Sequence, residues 1–78
     1  MVEYKYMHSD SMDLKARKEF GDRVKITREK LEMTQADVAG KADMTVNYYA
    51  MIERGEVNPS FEKMKSIAKV LKLKITIS

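Results

Sequence analysis

Residues 34–61 decide the fold: Thr34-Gln35-Ala36-Asp37-Val38-Ala39-Gly40-Lys41-Ala42-Asp43-Met44-Thr45-Val46-Asn47-Tyr48-Tyr49-Ala50-Met51-Ile52-Glu53-Arg54-Gly55-Glu56-Val57-Asn58-Pro59-Ser60-Phe61. Thr34 is a strong helix N-cap, and Asp37 three residues on completes a capping-box-like pair. This predicts a short helix over 35–41, with Val38 and Ala39 inward. Asp43-Met44 makes a turn. Thr45 caps the next helix, 46–54, with Tyr49 and Ile52 inward, and Gly55 ends it as a C-terminal cap. After a loop over 56–59, Ser60 caps a further helix over 61–71, with Glu62 in its first turn. Phe61, Met64, Ile67, Ala68 and Leu71 form its core stripe.

The flanks add one helix and two strand signals. Ser11 is a capping candidate, with Asp13 in the first turn, so a first helix is expected over 12–31. Its inward stripe reads Leu14, Phe20 or Gly21, Val24, Thr27 and Leu31. Gly21 weakens this helix by about 1 kcal/mol against Ala, and lets another helix approach closely. Met33 packs beneath the turn that follows. Residues 2–6, Val-Glu-Tyr-Lys-Tyr, alternate apolar and polar, a short strand signal. At the other end Leu71, Leu73, Ile75 and Ile77 alternate with Lys72, Lys74, Thr76 and Ser78, the pattern of a half-buried strand. The expected organisation is an arm or short strand over 1–12, a helical domain over 13–71 and a strand over 72–78.

Seventy-eight residues with a 44% apolar share form one small domain whose core is marginal alone. No apolar run nears the roughly 20 residues of a membrane span, and no secretory signal is visible, so the cytoplasm is the expected compartment. There is no Cys, hence no disulfide or thiolate metal site. His8 stands without a ligand-spaced partner, and no metal or cofactor is expected. Gly-rich phosphate loops and nucleophile–base pairs are missing, so the chain reads as non-enzymatic. Net charge is +3, unevenly spread. Residues 13–28 hold six basic and three acidic residues, 29–62 hold three and seven, and 63–78 hold five lysines and no acid. The bases lie on the first helix and the C-terminal arm, an arrangement compatible with phosphate binding or simply with solubility.

Thr-Gln opening one helix, Ala39 five residues after that Thr, Ile52-Glu53-Arg54-Gly55 closing the next helix and Pro59-Ser60 opening another together resemble the helix-turn-helix of the phage-repressor/Cro (XRE-like) family, over roughly 14–73. The resemblance implies a mostly α, lambda-repressor-like bundle of four to five short helices. A terminal strand, expected to pair in a dimer, stands where relatives usually continue into a fifth helix. Glu32, Asp43 and Lys72 occupy positions where Gly is common in the family. Asp43 tolerates the left-handed conformation, whereas Glu32 and Lys72 suggest different turn geometry or strain.

The resemblance further implies double-stranded DNA as partner, with the second helix of the motif in the major groove. Val46, Asn47 and Met51 hold the usual base-reading positions, with Ala50 also outward and Tyr48 beside them. Asn47 suits an adenine edge and Val46 a thymine methyl, a lean toward A·T. Thr34, Gln35, Lys41, Thr45, Asn58 and Ser60 are the phosphate candidates. Gln35 leads them, because its side chain can touch phosphate while bracing the recognition helix. Arg28 and Glu53 resemble the family's inter-helix ion pair. Leu73, Ile75 and Ile77 are expected in a homodimer interface, since a lone terminal strand leaves an unpaired edge. That edge can pair with 2–6 or with a second copy, and a two-fold dimer implies an inverted-repeat operator. The function implied is a transcriptional regulator, most often a repressor. Lys-Leu-Lys-Ile-Thr-Ile resembles the dimerising strand of some antitoxins of the family, which leaves open an autoregulator with a toxin partner. A protein-interaction module that has lost DNA binding is the other alternative, favoured by the acidic motif and by apolar Val46, Ala50 and Met51.

Overall fold

The computed structural model describes residues 2–6 and 13–77, with side chains over 13–75. Six elements follow in order: β1 (Val2–Tyr6), α1 (Leu14–Lys30), α2 (Gln35–Lys41), α3 (Val46–Glu53), α4 (Phe61–Leu71) and β2 (Leu73–Ile77). The fold is the expected mostly helical one, with terminal strands. Each helix begins where a short polar side chain accepts a hydrogen bond from the backbone N–H three residues on. Asp13 accepts from Ala16, Thr34 from Asp37, Thr45 from Tyr48 and Ser60 from Lys63. These caps satisfy donors that no helical carbonyl reaches.

Two expectations for α1 are corrected. The cap is Asp13, with its carboxylate 2.8 Å from the Ala16 nitrogen, so the helix begins at Leu14 rather than at 12; Ser11 and His8 lie outside the described residues. Leu14 and Leu31 are exposed, at 55% and 43%, not inward. Leu14 lies about 120° round the helix from Phe20 at 3.6 residues per turn. Leu31 is already the C-cap, where the chain leaves helical geometry. The buried stripe is Phe20, Gly21, Val24 and Thr27. The Thr27 hydroxyl is satisfied by the Arg23 carbonyl 2.7 Å away.

The core gathers this stripe with Val38 and Ala39 of α2, Tyr49 and Ile52 of α3, and Met64, Ile67, Ala68 and Leu71 of α4. Met33 and Phe61 pack against it partly buried. Three helices then end alike. Beyond α1, α2 and α3 the N–H of Met33, Met44 and Glu56 donates to the carbonyl of Arg28, Ala39 and Met51, at 3.1, 3.0 and 2.9 Å. These are Schellman closures, which need a left-handed residue one position earlier. Glu32, Asp43 and Gly55 supply it with φ of 56, 59 and 73°, and Lys72 takes φ 56° at the end of α4. The turn geometry is therefore the one glycine favours, kept with side chains on Glu32 and Lys72. Both residues thus take the left-handed conformation that costs a side-chain-bearing residue about 1–2 kcal/mol.

The terminal strands pair with each other. β1 and β2 run parallel, in the register Val2 with Leu73, Tyr4 with Ile75 and Tyr6 with Ile77. β2 rests on α4 and β1 on α1. Leu73 is only 5% exposed and belongs to the protomer's own core.

Candidate nucleic-acid interface

The site begins with a close approach between α1 and α3. A Cβ on Gly21 would collide with the Glu53 carbonyl oxygen and come within 2.6 Å of the Ile52 carbonyl oxygen. Only glycine lets the backbone of α1 meet the end of α3 here.

A buried polar network locks that contact. Arg28 donates through Nε to Glu53 Oε2 at 2.6 Å and through Nη2 to Oε1 at 3.2 Å, and through Nη1 to the Met33 carbonyl at 2.9 Å. Gln35 Nε2 donates to Glu53 Oε1 at 2.9 Å. One carboxylate on α3 thus receives groups from α1 and from the first residue of α2. Burial alone would raise the Glu53 pKa, but the hydrogen bonds from Arg28 and Gln35, with the nearby Tyr49 hydroxyl, outweigh it and hold the carboxylate below its ordinary range. The hydrogen bond to Glu53 raises the Arg28 pKa, so the pair stays ionised. The Tyr49 hydroxyl is buried beside them without a well-formed hydrogen bond of its own. Burial, then the Glu53 carboxylate, push its pKa far up. The expected ion pair is therefore present, with Gln35 bracing the end of α3 as expected. An amide nitrogen carries two N–H groups, so the bond to Glu53 leaves Gln35 a second donor.

The other end of α3 faces away from this network. Thr45 caps it, Val46 is 46% exposed, Asn47 is exposed, and Tyr48 and Met51 are half-buried. The Asn47 amide donates to the Met51 sulfur, 3.9 Å away. Ala50, expected outward, is buried. The helix itself ends at Glu53, with Arg54 as its C-cap rather than its last residue. At the α2 N-terminus the capping box is closed in both directions, and the Thr34 backbone N–H, then its hydroxyl, hold the Asp37 carboxylate below its usual range. Lys41 ends α2, Asn58 is exposed in the loop and Ser60 caps α4.

One feature of this surface is not legible in the sequence. Lys18, Asp22 and Lys25 of α1 line a groove with Gln35, Glu53 and Arg54. The spacing of 18, 22 and 25 marks one helical face, but nothing local says that α2 and the end of α3 lie opposite it. Among the described residues no group of His, Asp or Glu is placed to hold a metal ion, and no helix is long and apolar enough to cross a membrane.

The family described as Helix-turn-helix matches residues 24–77. The immunity repressor protein of Bacillus phage phi105 is 34% identical over 56 residues, which are 72% of this chain and 39% of that protein. The chain thus spans about two fifths of the length of the phage protein. In fold it is similar to the clp gene regulator ClgR from C. glutamicum, with a TM-score of 0.74 at 21% identity, over 86% of this chain and 83% of that one.

Proposed function

This chain belongs to the helix-turn-helix family, and we propose that it is a sequence-specific, non-enzymatic DNA-binding transcriptional regulator, acting as a repressor on an inverted-repeat operator. The observation that carries this is the asymmetry of α3. Its C-terminal end is fixed to α1 and α2 through Glu53, while its first turn projects Val46 and Asn47 into solvent. A recognition helix needs that combination, a rigid mount and a free N-terminal face. Val46, Asn47, Tyr48 and Met51 are the proposed base readers. Thr34, Gln35, Lys41, Thr45, Asn58 and Ser60 are the proposed phosphate contacts.

The proposed assembly is a homodimer through the terminal strands. A two-stranded sheet leaves each strand one unpaired edge, so a second copy's β2 could add antiparallel about a two-fold axis. Leu73 is taken into the protomer core, and Ile75 is partly exposed on the same strand. The proposed location is the cytoplasm. A protein-interaction module remains a second reading, favoured by the exposed apolar Val46 within a net acidic motif.

Binding to the gene's own upstream duplex, titrated at several salt concentrations, tests the proposal with Asn47→Ala and Gln35→Ala alongside. Tight binding that weakens with salt and with each substitution supports it. Affinity equal to that for random duplex, unchanged in both variants, contradicts it and favours a protein partner.

A further inference from the structure

We infer that the groove between α1 and the α2–α3 corner is a second contact for the DNA backbone, in which Lys18 and Lys25 hold a phosphodiester beside the one engaged at Gln35. The inference rests on the DNA-binding proposal and extends it to a helix outside the motif. Two basic side chains on one face of α1 meet Gln35 and Arg54 across a groove of about 600 Å³. A water takes about 30 Å³, so there is room for a phosphodiester with its hydration.

The charge balance favours an anion. Glu53 lies at the groove but is already matched by Arg28, and Arg54 shares its charge with Glu56 at 2.9 Å. Neither Lys18 nor Lys25 forms an ion pair with a described residue. Asp22 sits between them and opposes an anion. Its single charge leaves one of the two lysines in excess. Lys18 is also positioned, because its backbone and Cγ pass close over Gly55, where a Cβ would come within 2.7 Å of that Cγ. The stem therefore runs along the α1–α3 seam, and Lys18 lines the groove. Gln35 links the groove to the motif, since its amide braces Glu53 while lining the same space.

The test is the slope of log affinity against log salt concentration for intact protein on its own upstream duplex and on a random one. Removing one phosphate-binding cation makes this slope shallower by about 0.9 on duplex DNA. Lys18→Gln and Lys25→Gln should each do so per protomer bound, on both duplexes alike. Asp22→Asn should bind more tightly at low salt without a shallower slope. Lys69→Gln, on α4, controls for net charge, and thermal melting of each variant confirms an intact fold. Slopes for the Lys18 and Lys25 variants equal to wild type, or a Lys69 effect as large as theirs, overturn this inference while leaving the DNA-binding proposal standing. Wild-type protein with no salt-dependent duplex binding overturns both.

Discussion

Replacing Gly21 with alanine sets two effects of known size against each other. By helix propensity the change should stabilise α1 by about 1 kcal/mol. By packing it should do the reverse, since the new methyl meets the Ile52 carbonyl oxygen at 2.6 Å and the Glu53 carbonyl carbon at 2.8 Å, as well as the Glu53 oxygen. These are main-chain atoms of another helix, so no rotamer change relieves the contact; α1 and α3 must separate. Overpacking of this kind costs about 3 kcal/mol at the upper end of its usual range, which leaves a net loss of about 2 kcal/mol. For a domain of this size the melting temperature should fall by roughly 8–16 °C. Gly40 supplies the internal control. A Cβ there meets nothing within 4 Å, so Gly40→Ala should express propensity alone and raise the melting temperature by about 4–8 °C. Thermal unfolding followed by circular dichroism reads both. Two substitutions of the same kind should thus move stability in opposite directions. If Gly21→Ala melts at or above wild type, the close approach of α1 to α3 is wrong, and with it the account of how the recognition helix is mounted.

The remaining predictions concern the network and the turns. Arg28→Met should cost about 3–5 kcal/mol, because it strands a carboxylate whose side chain is 3% exposed; Arg28→Lys should recover only part, since an ammonium cannot make the forked contact. Denaturant titration of the three proteins checks this. Glu53 has a folded pKa below its ordinary 4.5, so its contribution is complete above that pH and is lost as pH falls through the folded value. Melting temperature should therefore drop below pH 4.5, and Glu53→Gln should make that acid limb shallower. Asp37 and Glu56, also held low, retain part of it. Glu32→Gly and Lys72→Gly should each stabilise, by about 0.5–1 kcal/mol after the larger unfolded-state entropy of glycine is set against relief at φ 56°. Asp43→Gly, measured in the same melts, should gain less, because Asp tolerates that conformation.

α2 and α4 were legible to the residue, because Thr34 and Ser60 cap them, and their C-terminal residues coincide with the last turn of a clear apolar pattern. The start of α1 was not, since Ser11 and Asp13 are both good caps two residues apart. Leu14 falls outside because it lies about 120° round the helix from Phe20. Ala50 is small enough to suit either side of α3, so its type alone does not reveal that it is buried. The Arg28–Glu53 pair and the bracing by Gln35 followed from family resemblance, not from any local pattern. The terminal alternations identified both strands but not their pairing, because period two fixes a face and leaves the partner open. The groove at Lys18 and Lys25 was invisible for a related reason: its walls, residues 18–25 on one side and Gln35, Glu53 and Arg54 on the other, are far apart in sequence and meet only in the fold.

The most direct test of the central claim is an amide-resolved NMR titration of the protein with its upstream duplex. The account predicts that Asn47, Met51 and the first turn of α3 shift most, with Thr34 and Gln35 following, and that Asn47→Ala removes the sequence dependence of those shifts. Shifts confined to α4 and β2, with the first turn of α3 unmoved, would contradict it.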